Sequence, residues 1–169
     1  MEGTGDKGYI SGDGRVTQLL PEEREEPIVL SGEDLDGEVL DVEDFRGKPV
    51  VIVVWGAWCP PCRAEAPAVV DAAEQLGEDV QFVGIDIRDS SPEQAKSFVR
   101  TFDVPYPSFY SPDGKAMLPL SGTLTPNSVP SFVVLDQEGR VAASILGELP
   151  STTTLVEITE DVLAESEDG

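Results

Sequence analysis

The chain has two cysteines, Cys59 and Cys62, set in Trp58-Cys59-Pro60-Pro61-Cys62 directly after the apolar run Val50 to Trp55. A C-x-x-C pair that follows a strand and opens a helix has the form of a thiol-disulfide redox centre. Other uses fit less well. A structural crosslink draws its entropic benefit from a long closed loop, and this loop is short. Zinc takes four ligands, mostly Cys and His, whereas this chain has no histidine and no third cysteine. Covalent haem attachment needs His directly after the second cysteine, where Arg63 stands. Two inert buried thiols stay open as a reading, against which Pro60 and Pro61 speak as a built turn.

The elements that position the pair can be read on either side of it. Val50 to Trp55 is continuously apolar and largely β-branched, as a strand buried on both faces requires. Cys59 to Leu76 reads as a helix with Pro60 and Pro61 in its first turn, where amides have no intrahelical partner anyway. Pro67 lies inside that helix and is expected to kink it. Gln81 to Ile87 reads as a second buried strand, and Ser91-Pro92-Glu93-Gln94 caps a second helix ending near Phe102. Ile28 to Leu30 and Glu38 to Leu40 form a hairpin around Asp36-Gly37, with Val42 to Phe45 as one helical turn after it. Val104 to Ser128 reads as loop with a short extended piece at Ser108 to Tyr110. Ser131 to Asp136 and Arg140 to Leu146 form another hairpin, and Ser151 to Leu163 closes the domain as a helix. That order predicts an α/β fold, a mixed central β-sheet with helices on both faces.

Residues 1–26 carry glycines and the charge run Glu22 to Glu26 without an apolar period, which predicts a flexible leader ahead of a domain at 27–165 and a frayed tail at 166–169. The balance of 33 acidic against 11 basic residues, net charge -22, argues against phosphate-driven binding of nucleic acid. It also argues against docking on anionic lipid through a basic patch. No run approaches the roughly 20 apolar residues of a membrane helix, and Met1-Glu2-Gly3 does not begin a signal peptide.

At a helix N-terminus, partial positive charge and free amides favour a thiolate, so Cys59 is the expected attacking sulfur, exposed and with a lowered pKa. Cys62 then resolves the mixed disulfide. Pro60 and Pro61 fix φ and keep the sulfurs close, and they remove two amide donors, leaving the Cys62 amide to face the Cys59 sulfur. A pKa falling from about 8.5 to about 6.5 stabilises the reduced state by only about 0.8 kcal/mol, roughly 20 mV, against about 150 mV between known oxidants and reductants. The helix end therefore does not set the direction of electron flow. Trp55 is read as core, and Trp58 as an exposed contact for a substrate peptide whose backbone pairs with Val129.

Trp55-Gly56-Ala57-Trp58-Cys59-Pro60-Pro61-Cys62-Arg63-Ala64-Glu65-Ala66-Pro67, together with Val129-Pro130-Ser131-Phe132, resembles the thioredoxin superfamily and within it the TlpA-like, ResA-like and DsbE-like extracytoplasmic oxidoreductases. The resemblance covers roughly Pro27 to Leu163. It implies a thioredoxin-like fold with an insertion before the strand that follows Pro130, and a cis Val129–Pro130 bond lying against the cysteines. It implies that Glu65, by residue type alone an ordinary surface carboxylate, exchanges protons with Cys62. Thioredoxin carries a buried aspartate where this chain has Val53, a proton role that Glu65 would take over. The resemblance further implies a redox-active disulfide with no other cofactor, and reduction of protein disulfides such as those of apocytochrome c. A membrane electron donor of CcdA or DsbD type and an anchored extracytoplasmic location, through a signal or lipoprotein segment absent from this chain, follow from it as well. The alternative within this chemistry is a DsbA-like or DsbE-like oxidase. A peroxiredoxin-like peroxidase is disfavoured because Ile52 and Gly56 stand where its Pro-x-x-x-Thr-x-x-Cys pattern needs Pro and Thr. A non-catalytic binding module is the reading from outside redox chemistry.

Overall fold

Val50–Trp55 is fully buried along its length, which a strand achieves only with neighbours on both edges and cover on both faces. The computed structural model describes residues 9–10, 15–125 and 127–168, with side chains for 15–125 and 127–165. The strands are β1 (Tyr9–Ile10), β2 (Val16–Gln18), β3 (Ser31–Glu33), β4 (Val39–Asp41), β5 (Val50–Trp55), β6 (Gln81–Ile87), β7 (Ser108–Ser111), β8 (Ser131–Leu135) and β9 (Val141–Leu146). The α-helices are α1 (Pro60–Leu76), α2 (Pro92–Phe102) and α3 (Thr152–Asp168). A seven-stranded sheet runs β1-β2-β9-β8-β5-β6-β7, with β3 and β4 paired separately. β5, β6 and β7 are parallel, and β8 runs antiparallel to β5. This is the mixed α/β sheet that the element order predicts.

Strand alternation divides the core in two. Val51, Val53 and Trp55 face α1, α2 and α3 and pack with Ala66, Val69, Phe98 and Leu155. Val50, Ile52 and Val54 face the opposite way, onto Ile28, Leu30, Met117 and Leu124. That second face is covered by the β3–β4 segment and by 3-10 helices at Val42–Phe45 and Lys115–Leu120. Trp55 stacks on Phe98 at 4.4 Å and donates its indole N–H to Ser108 Oγ at 3.2 Å. Gly84 sits under that contact, and a Cβ there would overlap Ser108 and the indole. The 17-residue α1 continues through Pro67, whose absent amide leaves the Arg63 carbonyl without its helical donor.

Three boundaries differ from the sequence expectations. The N-terminal hairpin pairs Ser31–Glu33, not Ile28 to Leu30, with β4, because the Asp34 carboxylate organises the turn by accepting the Asp36 and Glu38 amides. The leader expected at residues 1–26 is not separate from the domain over residues 16–26: β2 pairs with β9, and Arg24 is buried against Asp136 and Glu165. Residues 1–8 and 11–14 lie outside the described residues. At the other end, α3 continues to Asp168 and Glu165 is held by Arg24, so the helix extends into the stretch expected to fray. The physical reason is shared, since one buried guanidinium neutralises a carboxylate from the end of β8 and another from α3.

Candidate active site

At the carboxyl end of β5 the chain turns through Gly56, Ala57 and Trp58 into α1. The Cys59 amide donates to the Gly56 carbonyl at 3.1 Å, and the Ala57 amide donates to Asp89 Oδ2 at 2.9 Å. The Trp58 indole N–H donates to the Ile87 carbonyl at 2.8 Å, and the Arg88 guanidinium lies over its ring at 5.5 Å. Gly56 permits this bracket, because a Cβ there would overlap the Trp58 indole. Trp58 remains 43% exposed.

Cys59 is the N-cap of α1, with Pro60 and Pro61 directly after it, and its Sγ accepts the Cys62 amide at 3.2 Å. A sulfur thereby takes the place that a Ser or Asp oxygen fills at other helix starts. The two cysteines form a disulfide with their Cα atoms 5.2 Å apart. The expectation of an exposed Cys59 sulfur is not met in this state, since Cys59 keeps 2% and Cys62 3% of their surface. Both cysteines belong to the core cluster against which Ala57 and Val129 pack. The Val129–Pro130 peptide bond is cis, and Pro130 lines one small cavity with Cys62, Glu65 and Tyr106.

Glu65 reaches that cavity from α1, one turn beyond Cys62. Its Oε2 accepts the Leu149 amide at 2.8 Å, while Oε1 is buried without a hydrogen-bond partner. Burial pushes its carboxyl up to about 7; the Leu149 amide opposes the rise, Glu148 adds to it and Arg15 opposes it. Glu65 makes no direct hydrogen bond to Cys62 among the described residues. The turn after β9 holds the assembly together: Gly147 donates its amide to the Pro130 carbonyl, Leu149 holds Glu65, and Thr152 Oγ1 donates to Ala68 of α1. Arg15 fastens that turn by donating to the Leu146 and Glu148 carbonyls.

Sequence reasoning missed Asp86 and Asp89. Asp86 lies opposite Trp55 on β6, wholly buried, with neither oxygen hydrogen-bonded to a donor, and Asp89 is 2% exposed. Burial, then the adjacent Asp89 carboxyl, push Asp86 up to about 9, which favours its neutral form at pH 7. The signal available was a charged residue inside a strand read as buried. The folded state keeps a proton that the unfolded chain releases near pH 4, so this group's contribution to stability falls as pH rises from about 4 to about 9. Asp86→Asn, neutral at every pH, is expected to stabilise the protein by at least about 2 kcal/mol at pH 8 and little at pH 4. Urea melts at both pH values measure this, and equal effects at both would remove the proton retained on Asp86.

The Redoxin family profile matches residues 17–163 of the chain. The chain belongs to the Redoxin family. Among curated relatives it is similar to the thiol-disulfide oxidoreductase ResA of Bacillus cereus, 29% identical over 116 residues that cover 68% of this chain and 64% of ResA. The match thus spans under two thirds of that relative's length. Among solved structures, a DsbF homologue from Corynebacterium diphtheriae superposes with a TM-score of 0.82 at 32% identity, over 91% of this chain and 97% of that one. A secreted thiol-disulfide isomerase from Corynebacterium glutamicum superposes with a TM-score of 0.84 at 27% identity, over 92% and 96%. The Redoxin sheet here is the thioredoxin-like scaffold predicted from the cysteine motif, with helices flanking it.

Proposed function

We propose that this protein is an exported thiol-disulfide oxidoreductase that exchanges the Cys59–Cys62 pair with protein disulfides. The observation that carries the reading is Cys59 as the helix cap, its sulfur facing the Cys62 amide and within bonding reach of the second sulfur. In the reductive direction the Cys59 thiolate attacks a substrate disulfide, whose S–S bond breaks and whose first sulfur leaves as a thiolate that takes up a proton. Cys62 then loses its proton toward Glu65, through the cavity of about 20 Å³ that both residues line and that has room for one bridging water. Its thiolate attacks the Cys59 sulfur, releasing the second substrate thiol. Two electrons have passed to the substrate, and the protein holds the disulfide described above. Trp58 and the Val129 backbone receive the substrate chain. Glu65→Gln is expected to slow exchange about tenfold at pH 7 and to flatten the rise in rate through that pH. Stopped-flow rates from pH 5 to 9 read this, and superimposable profiles would remove Glu65 from the mechanism.

The direction we favour is reductive, with apocytochrome c as the client class and a CcdA-type or DsbD-type membrane protein as electron donor. This rests on the resemblance to ResA. An oxidase or isomerase of exported proteins is the second reading, favoured by the two corynebacterial folds that match nearly the whole chain. Among the described residues no helix is long and apolar enough to cross a membrane, so anchoring would come from a segment other than these helices. Equilibration against dithiothreitol and glutathione buffers, read by thiol alkylation, decides the direction. A potential near about -270 mV supports the reductase, and one near about -120 mV transfers the assignment to the oxidase.

A further inference from the structure

The turn that delivers Cys59 to α1 closes on itself through one hydrogen bond, from the Cys59 amide to the Gly56 carbonyl, which leaves Ala57 and Trp58 as its two central residues. Neither the Ala57 amide nor the Trp58 indole is used within the turn. Both find acceptors in the three residues at the end of β6: Ala57 donates to Asp89 Oδ2 at 2.9 Å and Trp58 to the Ile87 carbonyl at 2.8 Å. Between those acceptors Arg88 has a φ of 61°, a conformation that side-chain-bearing residues rarely adopt. With the chain bent there, a backbone carbonyl on one side and a side chain on the other reach the same turn.

Asp89 is itself held from behind. Tyr110 Oη donates to its carbonyl at 3.1 Å, the Arg88 amide donates to the Pro112 carbonyl at 3.2 Å, and the Ser90 amide donates to Gln94 Oε1 at 2.9 Å. The place of its carboxyl is therefore set by β7 and α2 rather than by the cysteine turn. Its depth is no gain in stability. Asp89 is 2% exposed, and Asp86 beside it is wholly buried with neither oxygen bonded to a donor. Apolar side chains of similar volume would pack there at lower cost. Costly buried acids next to a reactive pair point to a role in its chemistry.

We propose that Asp89 is a positioning residue of the exchange reaction: by holding the Ala57 amide it fixes the turn that seats Cys59 as the cap of α1, and so the place from which the Cys59 sulfur attacks. The inference rests on the thiol-disulfide reading above. Asp89 acts through Ala57 and takes no part in the bond changes, which remain those of the two cysteines and the substrate disulfide.

The test compares two substitutions in the full chain. Asp89→Asn keeps an oxygen at the same reach for the Ala57 amide, whereas Asp89→Ala removes the acceptor. Both lose the carboxyl, so the difference between them isolates that one hydrogen bond. Rates of the reduced proteins with hydroxyethyl disulfide are read beside the Cys59 titration by thiolate absorbance and unfolding in urea. The alanine protein is expected to react about tenfold more slowly than the asparagine protein, and its Cys59 to titrate higher, because the sulfur is less well seated on the helix end. Asp89→Ser, whose hydroxyl is one bond too short for Ala57, replaces the alanine variant if that protein does not fold, with the same outcome expected. Equal rates and equal titrations in the asparagine and the alanine or serine proteins, whatever their stability in urea, would overturn the proposal, since the hydrogen bond would then serve the fold alone. Failure of the parent protein to exchange with hydroxyethyl disulfide would instead end the redox reading, and this role with it.

Discussion

Cys62→Ser protein is expected to accumulate as stable mixed disulfides through Cys59, whereas Cys59→Ser should exchange at least about a thousandfold more slowly than the parent. The asymmetry follows from position. Cys59 caps α1 and its sulfur already accepts the Cys62 amide, so the reduced thiolate is met by a donor and by the positive end of the helix. Cys62 lies inside the first turn of the helix with Cys59 already within bonding reach, so its attack is intramolecular. A serine at position 62 keeps the cap and removes the resolving step, and the trapped adduct can be read by mass spectrometry. A serine at position 59 removes the attacking sulfur itself. The Cys59 thiol of the Cys62→Ser protein should titrate below about 8.5 by thiolate absorbance. Equal trapping by both serine variants would exchange or dissolve the two roles.

Arg24→Ala is expected to destabilise the fold by about 3 kcal/mol, a fall in Tm of roughly 6 to 12 °C for a chain of this size. Arg24 has 2% side-chain exposure and pairs with Asp136 at 3.1 Å and with Glu165 at 2.7 Å, while Nε and Nη2 also donate to the Leu19 carbonyl. Removing it strands a carboxylate on Asp136 that is 4% exposed, leaving Arg140 at 3.4 Å as its remaining cation. Breaking a buried pair from one side is the expensive way to lose it. Urea unfolding of the variant measures the difference. Stability within about 0.5 kcal/mol of the parent would show that Arg140 alone suffices.

The parts of the fold legible in the sequence were those with a local signature. The run Val50 to Trp55, the proline-opened helix after Cys59 and the Ser91 cap need only neighbouring residues, and the structure places β5, α1 and α2 there. Glu65 could be named from spacing and resemblance, but its tie to Leu149 spans 84 residues and leaves no mark on local pattern. Residues 16–26 failed for the same reason. Val16-Thr17-Gln18 is too short and too polar to announce a strand, and becomes one only because β9 offers the hydrogen bonds. Arg24 in a charged stretch reads as solvated until Asp136, 112 residues away, is brought beside it. Asp86 and Asp89 were visible as residues and invisible as a buried pair, since their depth beside one another is set by the fold.

Because Val16, Thr17 and Gln18 lie along Ile145, Ser144 and Ala143, they close a margin of the sheet that would otherwise present bare amides and carbonyls. A recombinant fragment trimmed to start at Pro27 would keep the cysteines, the cis-proline loop and most of the core. It would also display an unpaired, apolar strand ready to recruit other chains, and should precipitate or form fibrils where the longer polypeptide stays dispersed.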